Sequence, residues 1–265
     1  MIRPRKSLGQ NFLRDDNIAR KIAAAIRPDP ADLLVEIGPG EGALTRHLAG
    51  KVGRFVAVEL DGRVVNDLRA RFGPLGVEVL HGDVLETDLD ALAIRLGGPL
   101  RIVGNIPYNI TSPILFHVLD QRTQVRDLTI MMQREVARRI VAGPGTKEYG
   151  ILSVFCRLYA DVELLFDVSP NAFVPKPSVV SSVVRFAMLP SLRYELADEA
   201  AFRAMVRGVF GKRRKTLRNA LRYHLGERPL PENLPVDVGL RPEDLGLEEL
   251  VALGNALARV PQGAG

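Results

Sequence analysis

Short, largely apolar runs recur at residues 33–37, 55–59, 77–80, 100–104 and 128–132, each bounded by Gly, Pro, Asp or Asn. Runs of four to six residues with such boundaries read as buried strands. The segments between them carry apolar residues at helical spacing. They predict helices over residues 18–26, from about Ala43, over 63–72, over 113–119 and over 135–141. Asp15 or Asp16 is placed to cap the first of these, and Pro28 closes it. Strands alternating with helices imply a parallel sheet covered on both faces. Two further apolar runs, 162–166 and 179–186, predict a closing antiparallel pair. Beyond Leu189-Pro190-Ser191 the pattern turns helical with Pro-rich joints, so a boundary is expected near residue 190. The chain then divides into an α/β domain over residues 1–190 and a small helical domain over 191–265.

Composition narrows the setting. A chain of 265 residues can bury a full core. The lone Cys156 excludes an internal disulfide framework, and His47, His81, His117 and His224 are not spaced as metal ligands. A reducing compartment and no metal are expected. The basic start, Met1 to Ser7, leads into Gly-Gln-Asn rather than an apolar run, and no stretch has the length of a membrane span. These features predict a soluble cytoplasmic protein with no membrane partner.

The net charge is +5, and its location matters more than its size. Eight Lys/Arg and no acid lie between Ala200 and Leu225, leaving 28 basic against 31 acidic residues elsewhere. Arg203 and Arg207 are one helical turn apart, and Arg214, Arg218 and Arg222 follow at i, i+4 and i+8, a stripe if the segment is one helix. A solvated face is the ordinary reading of such a stripe. The absence of interleaved acids favours a polyanion, with Arg207, Lys212, Arg213, Arg214, Lys215, Arg218 and Arg222 as candidate contacts.

The candidate chemistry sits at strand ends. Gly38-Pro39-Gly40-Glu41-Gly42 follows the first strand, where glycines permit close backbone approach and a helix start offers N–H groups to an anion. Gly38, Gly40 and Ala43 also satisfy G-x-G-x-x-A, with Glu59 at a suitable distance for a ribose, so a nicotinamide enzyme is a rival at this point. Glu59 ends the second strand and is suited to two ribose hydroxyls. Asp83 ends the third and is suited to an adenine amino group or to capping a helix. Asn105-Ile106-Pro107-Tyr108 ends the fourth. An Asn side chain, a carbonyl fixed by Pro, and an aromatic face are the acceptors and the wall that a planar amine needs if it is to be methylated.

In order along the chain, Lys6-Ser7-Leu8-Gly9-Gln10-Asn11-Phe12-Leu13, Glu36-Ile37-Gly38-Pro39-Gly40-Glu41-Gly42, Glu59-Leu60-Asp61, Gly82-Asp83-Val84, Asn105-Ile106-Pro107-Tyr108-Asn109, Phe173-Val174-Pro175-Lys176-Pro177 and Arg214-Lys215-Thr216-Leu217-Arg218-Asn219 resemble the ribosomal RNA adenine dimethyltransferases, most closely the small-subunit branch. The resemblance implies a Rossmann-like class I methyltransferase fold: a mostly parallel seven-stranded sheet with a small all-helical C-terminal domain. It implies S-adenosylmethionine held by Asn11, Leu13, Gly38, Gly40, Glu59, Asp83, Val84 and Asn105. It also implies a target adenine received by Asn105, Ile106, Pro107 and Tyr108, with Phe173 as a second aromatic wall. On the residues alone, Phe173 reads as core. The implied reaction is dimethylation of two adjacent adenines in a 3′-terminal hairpin loop of 16S rRNA, within the small ribosomal subunit or its precursor, by a monomeric enzyme.

Ile106 stands where the small-subunit branch usually has Leu, and Ile there also occurs in the large-subunit (23S) enzymes of macrolide resistance. The Phe-x-Pro-x-Pro and Lys-Thr-Leu-Arg-Asn segments favour the small subunit. An NAD(P)-dependent oxidoreductase and a non-catalytic ribosome-assembly factor are the alternatives of other classes.

Overall fold

The computed structural model describes residue 5 and residues 9–259. Lys6, Ser7 and Leu8, the start of the first motif, lie outside the described residues. The chain separates into two compact units, Met1–Ala137 with Asp161–Pro190, and Arg138–Ala160 with Ser191–Gly265.

The first unit is built on a seven-stranded sheet. Its strands are β2 (Leu33–Ile37), β3 (Arg54–Glu59), β4 (Val77–His81), β5 (Leu100–Asn105), β6 (Val125–Gln133), β7 (Ala160–Val168) and β9 (Ser181–Met188), in the order β4-β3-β2-β5-β6-β9-β7. The first five are parallel and β9 runs antiparallel to β6. A separate two-stranded ribbon joins β1 (Phe12–Leu13) to β8 (Phe173–Val174). Four helices follow the expected segments: α1 (Asp16–Ile26), α3 (Gly62–Phe72), α5 (Thr111–Asp120) and α6 (Arg134–Val141). Asp15 caps α1 by accepting from the Asn17 and Ile18 N–H groups. Ile22 and Ile26 of α1 and Leu68 and Phe72 of α3 pack with Leu34, Phe55 and Ala57 of the sheet. α4 (Leu89–Leu96) has no counterpart among the expected elements.

Two expectations are corrected here. The helix expected from about Ala43 is a run of turn residues followed by α2, which spans only Thr45–Leu48. The boundary at residue 190 misses that Arg138–Ala160 belongs to the second unit. The cause is α7 (Ile151–Tyr159), whose Val154, Phe155, Cys156, Leu158 and Tyr159 are all buried and which packs against α8 (Glu199–Phe210) and α10 (Leu247–Ala258). The second unit also contains α9 (Leu217–Leu225). α6 (Arg134–Val141) carries the chain from one unit into the other. Among the described residues no helix is long and apolar enough to cross a membrane.

The amino-terminal edge of the sheet is tied by an ion network centred on Arg101, with Arg126 on the other oxygen of Asp32 at 3.3 Å. Arg101, only 6% exposed, donates to Asp32 Oδ2 at 2.5 Å, Asp127 Oδ2 at 2.8 Å and the carbonyls of Ile26 at 2.6 Å and Arg27 at 3.0 Å. It thereby joins the end of α1 to β5 and β6. Removing one member of a buried ion network strands the others without solvent. Arg101→Ala should lower unfolding free energy by about 3–5 kcal/mol in denaturant titrations.

Candidate active site

The chain runs β2, β3, β4 toward one edge of the sheet and then returns to β5 on the other side of β2. A crevice opens at the carboxyl ends of strands where the order reverses in this way. Here a cavity of about 220 Å³ lies at the ends of β2, β3, β4 and β5, roofed by the arm of residues 9–13.

The floor is the glycine loop. Gly40 has φ +57°, a left-handed conformation that favours glycine, and a Cβ there would lie 3.0 Å from the Phe12 ring. Its N–H donates to Glu59 Oε2 at 2.9 Å, while Glu59 Oε1 accepts from the Asp61 N–H at 2.8 Å. The carboxylate, 5% exposed, therefore locks two turns together, and each oxygen retains an acceptor site for a hydroxyl. Burial raises the Glu59 pKa against the lowering effect of those N–H groups. Beside it lies Glu36, which the sequence quoted only within a motif. It lines the cavity at 1% exposure and accepts from Thr45 Oγ1 at 2.7 Å. Burial pushes its carboxyl up to about 7, with the nearby Glu59 charge adding to the rise.

Asp83 takes the capping role expected of it, and it also lies at the cavity. Its Oδ1 accepts from the Leu85 N–H at 2.9 Å, capping the short turn at Val84–Glu86. Its Oδ2 takes no hydrogen bond among the described residues, and Asp83 and Val84 both line the cavity.

On the other wall, Asn105 donates its Nδ2 to the Asn11 carbonyl at 3.0 Å, which turns Oδ1 into the free acceptor of that amide. Ile106, Pro107 and Tyr108 line the cavity beside it. The Tyr108 hydroxyl is 2.6 Å from Ser181 Oγ, and burial raises its pKa, so it stays protonated.

The arm is pinned at several points. Gln10 Nε2 donates to Asp61 Oδ2 at 2.9 Å, and Arg63 holds the same carboxylate through Nη2 at 2.5 Å. The bonds from Arg63 keep the Asp61 carboxyl well below the usual range. Gly9 takes φ +60°, and a Cβ there would meet Asn109 Oδ1 at 2.5 Å. Leu13 pairs with Phe173 in the β1–β8 ribbon, and the Arg14 N–H donates to the Ala172 carbonyl at 2.7 Å. Asn11 thus works here through its backbone, its side chain folding back to the Gly9 carbonyl at 3.3 Å.

Asn11, Leu13, Gly38, Gly40, Glu59, Asp83, Val84, Asn105, Ile106, Pro107 and Tyr108 all line this one cavity. Phe173 does not. Its ring is 2% exposed in the core with Leu13, Val103 and Met131, as its apolar character alone suggested. The lining fits the chemistry of S-adenosylmethionine: the buried Glu59 carboxylate and Asp83 Oδ2 are acceptors suited to hydroxyl and amino groups, and Leu13 and Val84 are apolar.

In the second unit the basic stripe is interrupted. α8 ends at Phe210 and α9 begins at Leu217, so Arg214 lies in the connection while Arg218 and Arg222 lie on α9. Arg207, Lys212, Arg214, Lys215, Arg218 and Arg222 are exposed. Arg213 is partly committed, to Glu243 at 3.1 Å and to the Lys147 carbonyl at 2.8 Å. Gly211, with its poor helix propensity, and the run of four cations that follows it explain the break.

Comparison with known proteins agrees with this arrangement. Residues 1–237 match the family model described as ribosomal RNA adenine dimethylase. Ribosomal RNA small subunit methyltransferase A of Aromatoleum aromaticum is 46% identical over 97% of this chain and 95% of its own length. The protein of the same name from Geobacter metallireducens is 46% identical over 97% and 96%. Among solved structures, the 23S rRNA methyltransferase ErmE superposes with TM-score 0.72 at 26% identity, covering 94% of this chain and all of that one. A dimethyladenosine transferase from Plasmodium falciparum superposes with TM-score 0.76 at 23% identity over 91% and 95%, a likeness of fold. With its Rossmann-like sheet, its lined cavity and a match over most of its length, the chain belongs to the ribosomal RNA adenine dimethylase family, whose members are S-adenosylmethionine-dependent methyltransferases.

Proposed function

We propose that this protein dimethylates the exocyclic amino groups of two adjacent adenines in a 3′-terminal hairpin loop of 16S rRNA, acting as a monomer in the cytoplasm on the small subunit or its precursor. The observation that carries the reading is the Asn105 amide. Its Nδ2 donates to the Asn11 carbonyl, which fixes the amide at the cavity wall and leaves Oδ1 as the group to accept from an amine. The near full-length likeness to proteins named small subunit methyltransferase A supports the choice of RNA.

S-adenosylmethionine supplies the methyl group on a positively charged sulfur. Glu59 binds the ribose, Asp83 and Val84 the adenine ring, and the loop at Gly38 and Gly40 the amino-acid end. Leu13 and the Asn11 backbone close the cavity from above. Asn105 Oδ1 and the Ile106 carbonyl accept the hydrogens of the target amine. This draws the nitrogen lone pair out of conjugation and toward the sulfonium. Tyr108 presents its ring to the base, and Pro107, φ −60°, fixes the carbonyl before it. The acceleration comes from placing two reactants in line: as the N–CH3 bond forms the S–CH3 bond breaks and the neutral thioether leaves, and the nitrogen, now cationic and strongly acidic, gives its proton to water, so no dedicated base is needed. The target must be unstacked to reach the cavity, which suits a loop.

The two walls should separate in mutants. Glu59→Ala should weaken binding of the methyl donor by about 1.5–3 kcal/mol in calorimetry and leave binding to small subunits unchanged. Asn105→Ala should lower kcat on the order of a hundredfold in a methyl-transfer assay with unmethylated small subunits. Mass spectrometry of the digested RNA from the same assay reads the position and number of methyl groups. Transfer to large-subunit RNA instead would replace this assignment with the 23S alternative.

The basic residues of the second unit are proposed to meet phosphates, with Arg207, Lys212, Arg214, Lys215, Arg218 and Arg222 exposed for it and Arg213 bracing the turn against Glu243. Replacing Arg214, Arg218 and Arg222 together with Ala should flatten the salt dependence of small-subunit binding by up to about three phosphate contacts' worth of slope. Donor affinity should not change. A wild-type slope would make these arginines a solvated face.

A further inference from the structure

Tyr108 belongs to a one-turn 3₁₀ segment, Tyr108–Ile110, whose amino end carries no side-chain cap. Such a short element fixes a ring poorly by itself. The ring nevertheless has one strong tether, the 2.6 Å contact between its hydroxyl and Ser181 Oγ. Ser181 is fully buried and begins β9, opposite Gln133 of β6. It is held from both sides along the chain. The Val180 carbonyl accepts from the Arg134 N–H at 3.0 Å, and Ser182 donates to Asp167 Oδ1 at 2.6 Å. The residues just before it, Lys176, Ser178 and Val179, are exposed. Ser181 is therefore the first anchored side chain after an exposed loop, and it points its hydroxyl at the aromatic wall of the reaction cavity.

We propose that Ser181 is a positioning residue for methyl transfer: by holding the Tyr108 hydroxyl it sets the plane of the ring against which the target base lies. This rests on the assignment of Tyr108 to the amine pocket. It also gives the phenol a role distinct from proton transfer, since its hydroxyl is committed to Ser181 and stays protonated by burial. Either hydroxyl can donate to the other, so the tether needs both oxygens and neither charge. A ring freed from it samples orientations in which the base is misaligned with the donor, and misalignment of this kind reduces turnover more than binding.

The test is a double-mutant cycle with unmethylated small subunits as substrate, read as kcat, KM for the subunit and donor affinity. Ser181→Ala and Tyr108→Phe should each lower kcat by about tenfold with donor affinity unchanged. The double variant should be no slower than either single one, because both remove the same tether. Ser181→Thr, which keeps the hydroxyl, should recover most of the rate. Multiplying effects, or a Ser181→Ala enzyme with wild-type kcat, would overturn the proposal. Should Ser181→Ala fail to fold, Tyr108→Phe and Ser181→Thr carry the decision: a slow Tyr108→Phe with an active Ser181→Thr supports the tether, and a wild-type Tyr108→Phe ends it. Tyr108→Ala separates the two layers. If it keeps wild-type kcat, the amine-pocket assignment itself fails, whereas a slow Tyr108→Ala beside a fast Tyr108→Phe removes only the role of Ser181.

Discussion

The Glu59 carboxylate is the interaction on which the site depends. Its two oxygens accept N–H groups from Gly40, in the loop after β2, and Asp61, in the turn before α3. One side chain at one strand end thereby fixes the backbone of two neighbouring strand exits. Burying an acid at 5% exposure costs solvation, the nearby Asp61 charge adds to that cost, and the Glu59 charge in turn raises the buried Glu36. The N–H groups offset part of it for Glu59, and the Thr45 hydroxyl does so for Glu36. Acids at this point make sense if the cavity receives a ligand that is rich in hydroxyls and carries positive charge, because such a ligand is stabilised by what the empty fold finds costly.

The arm of residues 9–13 extends this logic to the other wall. Its tether to Asp61 through Gln10 begins two residues from Glu59, and its Asn11 carbonyl ends on Asn105. The Glu59 side and the Asn105 side of the cavity therefore share one roof. The same segment pairs with β8 and sets Leu13 against Phe173, so a ring that could have been an open wall is packed into the core beneath the roof. Tyr108 and Phe12 are the aromatic residues that line the cavity among the described residues.

Much of this was legible in the residues. The five parallel strands could be read because each is a short apolar run with a marked stop, and three of the stops, Glu59, Asp83 and Asn105, line the cavity. What escaped was of two kinds. α4 and α7 are short helices whose many buried positions blur the apolar-polar period, so nothing marked Leu89–Leu96 or Ile151–Tyr159 as amphipathic units. Contacts across the chain left no local signal either. Asn11 with Asn105 and Tyr108 with Ser181 are separated by 94 and 73 residues. The basic segment failed for a different reason. Arginine spacing at i, i+4, i+8 continues through a break in the backbone, and charge periodicity alone does not report where a helix stops.

The two edges of the sheet divide the work. At the amino ends, Arg101 bonds one oxygen of each of two buried carboxylates and two carbonyls, and Arg126 takes the other oxygen of Asp32; among the described residues this network leaves only the second oxygen of Asp127 unpaired. At the carboxyl ends the polar groups are each half satisfied: Asp83 keeps one oxygen free, Asn105 keeps its Oδ1, and the Glu59 oxygens keep lone pairs. Parallel strands make this division possible, since all five place their carboxyl ends together. Stability is gathered at one edge and unsatisfied bonding capacity at the other. The second edge can then hold its acceptors in place before any ligand arrives, and positioned acceptors are what a reaction governed by alignment requires.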